Sequence, residues 1–171
     1  TPTGPGGGVA GPAPTYTVAS PDPGVLVTTY AYDERGNRVT QTDAAGRSTR
    51  WTYDRMGREI SRTLPLGQVE TKTYNEAGEL TSVTDFTGKT TRWTHDATGR
   101  VATIDYPNDA DVSFAYTATG ARSTATDGHG TTTHAHDARD RLVRRTDSAG
   151  RVIEYSYDAA GNLTSRVTAS Q

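Results

Sequence analysis

The chain has no cysteine, one methionine and two phenylalanines. Without cysteine there are no disulfide staples and no thiolate chemistry. No apolar stretch approaches the roughly 20 residues that a membrane-spanning helix needs, and no charged-then-apolar leader opens the sequence. Apolar residues never recur at helical spacing, and no helix cap precedes an apolar run. Hydrophobic residues make up 32% of the chain and mean hydropathy is −0.70. A compact globule carries about 45–50% on a slightly different count. The composition suits a sheet with one well-covered face, or one wall of a larger and partly hollow object. Lys and Arg total 18 against 20 Asp and Glu, for a net charge of −2. With no basic run, the charge pattern argues against a nucleic acid or an anionic membrane as partner.

What is present is a repeat. Tyr32-Asp33-Glu34-Arg35-Gly36 returns as Tyr53-Asp54-Arg55-Met56-Gly57, Tyr74-Asn75-Glu76-Ala77-Gly78 and His95-Asp96-Ala97-Thr98-Gly99. It continues as Tyr116-Thr117-Ala118-Thr119-Gly120, His136-Asp137-Ala138-Arg139-Asp140 and Tyr157-Asp158-Ala159-Ala160-Gly161. The leading residues fall at a period of 21, broken once by a one-residue deletion between Tyr116 and His136. A fixed period of this kind marks units that stack on their neighbours instead of closing separate cores. Each unit holds a second turn, centred on Gly46, Gly67, Gly88, Asp109, Gly130 or Gly150, and four of these read Thr-Asp-x-x-Gly.

Asp at the first position of a type I turn bonds the backbone two residues on. Gly at the fourth accepts the positive φ of a three-residue hairpin loop with a bulge. Asp109 and Asp140, which replace that glycine, belong to the residues that best tolerate the left-handed region. Turns every ten or eleven residues leave about six or seven for each strand, a normal length. The expected fold is all-β: antiparallel β-hairpin repeats of about 21 residues, with roughly thirteen or fourteen strands. A single sheet that wide twists, curls or closes.

The leading aromatic has a ring partner two residues earlier: Tyr30 with Tyr32, Trp51 with Tyr53, Trp93 with His95, Phe114 with Tyr116, His134 with His136, Tyr155 with Tyr157. Only Lys72 before Tyr74 departs from this rule. Residues two apart on a strand share a face. The proposed loop sets Tyr74 against Leu80, His95 against Val101, His136 against Leu142 and Tyr157 against Leu163. Each such aromatic–aliphatic pair contributes roughly 0.2–1 kcal/mol.

Residues 1–24 hold six of the eight prolines and the run Gly4-Pro5-Gly6-Gly7-Gly8, which is linker composition. The first strand is expected near Val25-Leu26-Val27, and residues 25–171 form the repeat array. The pattern is still running at Gln171, so the chain is expected to be a fragment of a larger protein.

Tyr-Asp-x-x-Gly followed by Arg or Asn, at this period and with a second Gly-centred turn, resembles the YD repeats of Rhs proteins. Related repeats occur in the B and C components of insecticidal toxin complexes and in teneurins. The cleanest matches are Tyr53-Asp54-Arg55-Met56-Gly57-Arg58, His95-Asp96-Ala97-Thr98-Gly99-Arg100 and Tyr157-Asp158-Ala159-Ala160-Gly161-Asn162-Leu163, and the resemblance covers about residues 28–168. It implies a hairpin ribbon wound into a curled or spiral YD shell. In bacterial members such a shell encloses a C-terminal toxin; in teneurins it carries cell-surface recognition. The implied setting is secreted or at the cell surface, and the implied partners are the rest of the parent shell and the toxin domain. The Asp-Pro-x-Gly-Leu element of bacterial self-cleavage is missing; the one Asp-Pro is Asp22-Pro23. Neither protease nor toxin activity is therefore expected of this segment.

Other constellations are weaker than the repeat that contains them. His129, His134, His136 and Asp137 could gather a metal, but His134 and His136 fill aromatic slots and zinc needs three or four convergent ligands. Asp105, Asn108, Asp109 and Asp111 form an oxygen-rich turn without calcium-loop spacing. Gly88-Lys89-Thr90 resembles the end of a phosphate loop, yet Val83 stands where its first glycine belongs. Asn162-Leu163-Thr164 is a glycosylation sequon whose use depends on a eukaryotic secretory route. No catalytic, cofactor-binding or metal residues are assigned, and no enzymatic activity is expected. The alternative to a structural wall is a carbohydrate- or cell-surface-binding module, with Trp51, Tyr53, Trp93, Tyr155 and Tyr157 stacking on sugar rings. Cut strand edges near Val25 and Val167 are expected to drive self-association.

Overall fold

A computed structural model describes residues 15–16, 24 and 26–169. It contains fifteen strands and, among the described residues, no helix. Contacts divide the chain into two units, Thr1–Lys72 with Asp85–Gly88, and Thr73–Thr84 with Lys89–Gln171. The first unit holds β1 (Thr15–Tyr16), β2 (Thr29–Tyr32), β3 (Arg38–Thr42), β4 (Ser48–Tyr53), β5 (Glu59–Thr63) and most of β6 (Val69–Tyr74). The second begins with β7 (Leu80–Thr84), β8 (Thr90–His95), β9 (Val101–Asp105), β10 (Val112–Tyr116) and β11 (Arg122–Asp127). It ends with β12 (Gly130–His136), β13 (Leu142–Thr146), β14 (Val152–Tyr157) and β15 (Leu163–Ala169). In each unit a strand pairs with its chain neighbours and always antiparallel, which is the expected hairpin meander.

The expected register holds wherever the pairing is described. His95 faces Val101, His136 faces Leu142 and Tyr157 faces Leu163. All seven first turns close alike: the first turn residue's N–H donates to the carbonyl four residues on, as from Asp54 to Arg58 at 3.0 Å. The fourth residue's N–H donates back to the first, as from Gly57 to Asp54 at 3.1 Å. Gly57 sits at φ +78°, where a β-branched residue would be an outlier.

Three details differ from the sequence expectation. Asp140 has a positive φ of 59°, but Asp109 does not. In that turn the pairing of β9 with β10 reaches only Ile104 with Val112; Asp105, which pairs with Arg92 on β8, does not go on to pair with Asp111. Like charges placed directly opposite destabilise a ladder, and the turn opens instead of closing on a left-handed residue. The missing residue of the short repeat is absorbed in its second turn, where Asp127 pairs directly with Gly130. A two-residue loop, Gly128-His129, replaces the three-residue loop Ala44-Ala45-Gly46 that Asp43 and Arg47 close elsewhere. Finally, the first long strand starts at Thr29, past Leu26 and Val27, because its partner β3 ends at Thr42 and Asp43 begins a turn; Val25 lies outside the described residues.

Most of the segment read as a linker lies outside the described residues. Within it Thr15 and Tyr16 pair with Ala31 and Tyr30, so a short β1 covers part of the β2 edge. Burial is shallow throughout. Among the described residues only Trp51, at 8%, and Val152, at 7%, are buried hydrophobics, and no polar residue is buried. The sheet presents a ring-bearing face and a hydroxyl-rich face. On the latter Thr52 meets Ser61 at 2.7 Å and Thr94 meets Thr103 at 2.7 Å. The threonine before three of the second-turn aspartates has a local reason: its hydroxyl bridges the turn, as Thr42 to Ser48, Thr84 to Thr90 and Thr126 to Thr131, all 2.8 Å.

Candidate functional site

The aromatic ladder is the feature that joins one repeat to the next. It begins with a second irregularity in the first-turn hairpins, beyond the loop itself. In six of them the register slips by one residue just before the leading ring, so that Tyr53 faces Glu59 while Thr52 faces Ser61. Ile60 is the extra residue of a β-bulge, and such a bulge leaves ladder groups unpaired and increases the local twist. The second-turn ladders that are described run without a slip.

The tyrosine of the following repeat meets this need. Tyr53 Oη donates to Arg38 O at 2.9 Å, Tyr116 Oη to Val101 O at 2.8 Å, and Tyr157 Oη to Leu142 O at 2.9 Å. Each acceptor lies two residues past the preceding motif's fourth turn position, at the bulge itself. A hydroxyl at the end of a rigid ring reaches across; a phenyl ring would leave the carbonyl unmet.

Arginines complete the ladder. Arg100 lies 4.4 Å from the Tyr116 ring centre and Arg141 lies 4.7 Å from that of Tyr157. The same guanidinium groups hold their own turns. Arg100 contacts Asp96 at 2.7 Å and Arg141 contacts Asp137 at 2.7 Å. The hydrogen bond from the Arg141 side chain leads the causes that lower the Asp137 carboxyl to about 2. Asp96 is lowered as well, first by the Thr98 hydroxyl. Where asparagine replaces arginine, the Asn37 amide donates to Asp33 at 2.8 Å and is the main reason that carboxyl is lowered. Adjacent first turns also touch: Arg139 Nη1 donates to Ala159 O at 3.0 Å, Thr119 to Asp140 at 2.6 Å, and Arg35 to Arg55 O.

The five residues considered for sugar stacking all lie on this ladder, yet they are not equivalent. Trp51 is buried beneath Arg38, whose guanidinium sits 4.2 Å from the ring centre. Trp93 is half-buried opposite Ile104, with Leu80 at the position where the earlier repeat has Arg38. Tyr53, Tyr155 and Tyr157 are half-buried, Tyr155 facing Arg166. Among the described ladder rings the most open to solvent are Tyr30 at 38% and Tyr32 at 36%, on β2; Tyr106, outside the ladder, stands at 37%. An open groove of about 440 Å³ touches Trp51 and Tyr53 beside the turn residues Asp33 and Arg55. A larger one, about 870 Å³, lies between two second turns and is lined by Arg47, Arg50 and Leu64-Pro65-Leu66, away from the ladder rings.

The remaining candidates stay apart. No three of His, Asp and Glu among the described residues converge as metal ligands. His129 is a solvent-exposed turn residue with a side chain 94% exposed, whereas His134 and His136 lie on the ring face of β12. The Asn162 amide of the sequon donates to Asp158 at 2.9 Å. Sequence reasoning overlooked the bulge and the roles of tyrosine hydroxyl and arginine. The recurring Arg or Asn just after the turn's fourth residue was the available signal for the turn contact.

The sequence matches the RHS Repeat family over residues 22–48, 32–69, 74–111 and 136–171. No curated protein matches. Among solved structures, a Photorhabdus luminescens Tc holotoxin pore carrying a TccC3 mutation aligns with a TM-score of 0.64 at 21% identity, over 82% of this chain. A TcdB2–TccC3 crystal structure aligns with a TM-score of 0.65 at 20% identity over 84% of this chain. The alignment takes in 9% of each of those chains, so this chain spans about a tenth of their length.

Proposed function

The chain belongs to the RHS repeat family, and from that premise we propose that it is a stretch of wall in a larger shell built from the same repeats. The observation that carries this reading is the tyrosine staple. The hydroxyls of Tyr53, Tyr116 and Tyr157 are spent on the preceding repeat's bulge carbonyl, and arginine covers the rings of Tyr116 and Tyr157. Such rings join units; they are not held free for a ligand. Burial of Trp51 beneath Arg38 supports the same reading over sugar stacking. In this proposal the parent shell encloses or presents a toxin or effector domain encoded elsewhere in the same protein, and works outside the cell that makes it. No catalytic step is assigned to the segment.

Limited proteolysis of the parent protein tests the proposal. The enclosed domain should survive in wild type and be cut once Tyr53→Ala and Tyr116→Ala open the wall. Equal cleavage of that domain in both proteins would remove the enclosing role.

The isolated segment is also proposed to self-associate along β15. Leu163 and Val167, both 54% exposed, mark this strand, and its outer edge offers backbone groups to another strand. Light scattering that stays monomeric at high concentration would count against that edge.

A further inference from the structure

We propose that β12 is an acid-labile point in the ladder, where protonation of His134 and His136 loosens the pairing of β11, β12 and β13. One repeat alone fills both ring slots with imidazole. The Nδ1 atoms of His134 and His136 are buried and have no hydrogen-bond partner. A neutral imidazole tolerates this, because one of its nitrogens is only an acceptor. In the cation both nitrogens are donors, and a buried donor without an acceptor is costly.

The surroundings add charge of the same sign. Arg145 on β13 is the direct cross-strand partner of His134. Arg122, at the start of β11 on the other side, faces Tyr116 and lies 5.1 Å from the Phe114 ring centre. Burial, then Arg122, Arg145 and His136, hold the His134 imidazole below its ordinary value. Leu142 faces His136. The nearest carboxylate in sequence, Asp137, is engaged by Arg141 at 2.7 Å. Arg144 faces Ala135, and Glu154 faces Arg144, so both belong to the opposite side of the sheet. Asp127, at the far end of β11, faces Gly130.

His95 provides the contrast within the same protein. It fills the leading slot of its repeat and its Nδ1 is likewise buried without a hydrogen-bond partner, but Glu79 Oε2 stands 3.7 Å away. Protonation there gains an opposite charge. The two sites therefore differ in the charge beside them, Arg145 across from His134 and the Glu79 carboxylate beside His95.

The sign follows from linkage. An imidazole whose folded value lies below its unfolded value of about 6.5 is preferentially neutral in the fold. Its contribution to stability is complete above that pH and is lost as pH falls below it. Between pH 7.5 and 5.5 the ordinary carboxylates remain ionised, so this window isolates the histidines.

The test is the thermal midpoint of the full chain across that window, with hydrogen exchange to locate the loss. The wild type should fall by about 2–4 °C, and amides of β11–β13 should lose protection first. His134→Phe combined with His136→Tyr should remove most of this fall, while His95→Tyr should retain it. A wild-type midpoint that holds, an equal fall in the double variant, or flattening by His95→Tyr alone would overturn the proposal. Should the double variant not fold, NMR titration of wild type decides. His134 must titrate below the ordinary imidazole value of about 6.5, and titration at or above it overturns the idea.

Discussion

The two turns of each repeat look alike in sequence and differ in how strictly the structure holds them. Every first turn closes with the same pair of backbone bonds, including those where Asn75 or Thr117 replaces aspartate. Of the second turns, those at Asp43, Leu64 and Asp147 share that closure, and at Asp85 the Gly88 N–H donates back in the same way. The others include an opened turn beyond Ile104 and a two-residue loop at Gly128-His129. The difference follows from what depends on each turn. A first turn fixes the bulge that receives the next tyrosine hydroxyl, so a slip there would misplace a ring and a carbonyl together. A second turn only joins strands whose register the ladder has already set.

The largest effect should come from the ladder itself. Trp51→Ala should cost about 3 kcal/mol or more, the range for truncating a buried aromatic side chain. Trp93→Ala should cost clearly less, because that ring is half-buried. Equal losses in denaturant melts would show that the two tryptophans are equivalent after all.

Gly57→Val should destabilise by about 1–3 kcal/mol through strain at positive φ. Ala159→Ser, inside the seventh first-turn loop, should leave the melting temperature within error. A Gly57→Val protein that melts with wild type would break the assignment of these turns.

Tyr116→Phe and Tyr157→Phe keep ring and arginine cap but remove the staple. Each should cost about 1 kcal/mol, the usual net value of one hydrogen bond. Denaturant midpoints unchanged in both would reduce the hydroxyl bond to a bystander.

The smallest effect belongs to the tolerant turns. One residue inserted between Gly128 and His129 should change stability by less than about 0.6 kcal/mol, since loop closure grows slowly with length. The same insertion between Arg55 and Met56 should be much worse, because it displaces a bulge and its staple. If the two insertions melt alike, the contrast between the turns fails.

The repeat made much of this fold legible. Asp at the first turn position and Gly at the fourth act through contacts within five residues, so loop closure and the facing of Tyr157 and Leu163 followed from local chemistry. The same logic misjudged Asp109, where the pairing of β9 with β10 stops at Ile104 and Val112 and leaves the turn open. It also treated Trp51 and Trp93 as the same position, although Arg38 covers Trp51 and the equivalent position before Trp93 holds Leu80.

By itself, then, the sequence determined the period, the strands and the pairing partners, because turn chemistry and two-residue alternation act over a few bonds. Only the tertiary structure decided which carbonyl each tyrosine meets, which ring an arginine covers, and where the missing residue is absorbed. Those outcomes rest on contacts between side chains and backbone from separate hairpins. Their geometry exists only once the bulges have set the twist and brought one repeat against the next.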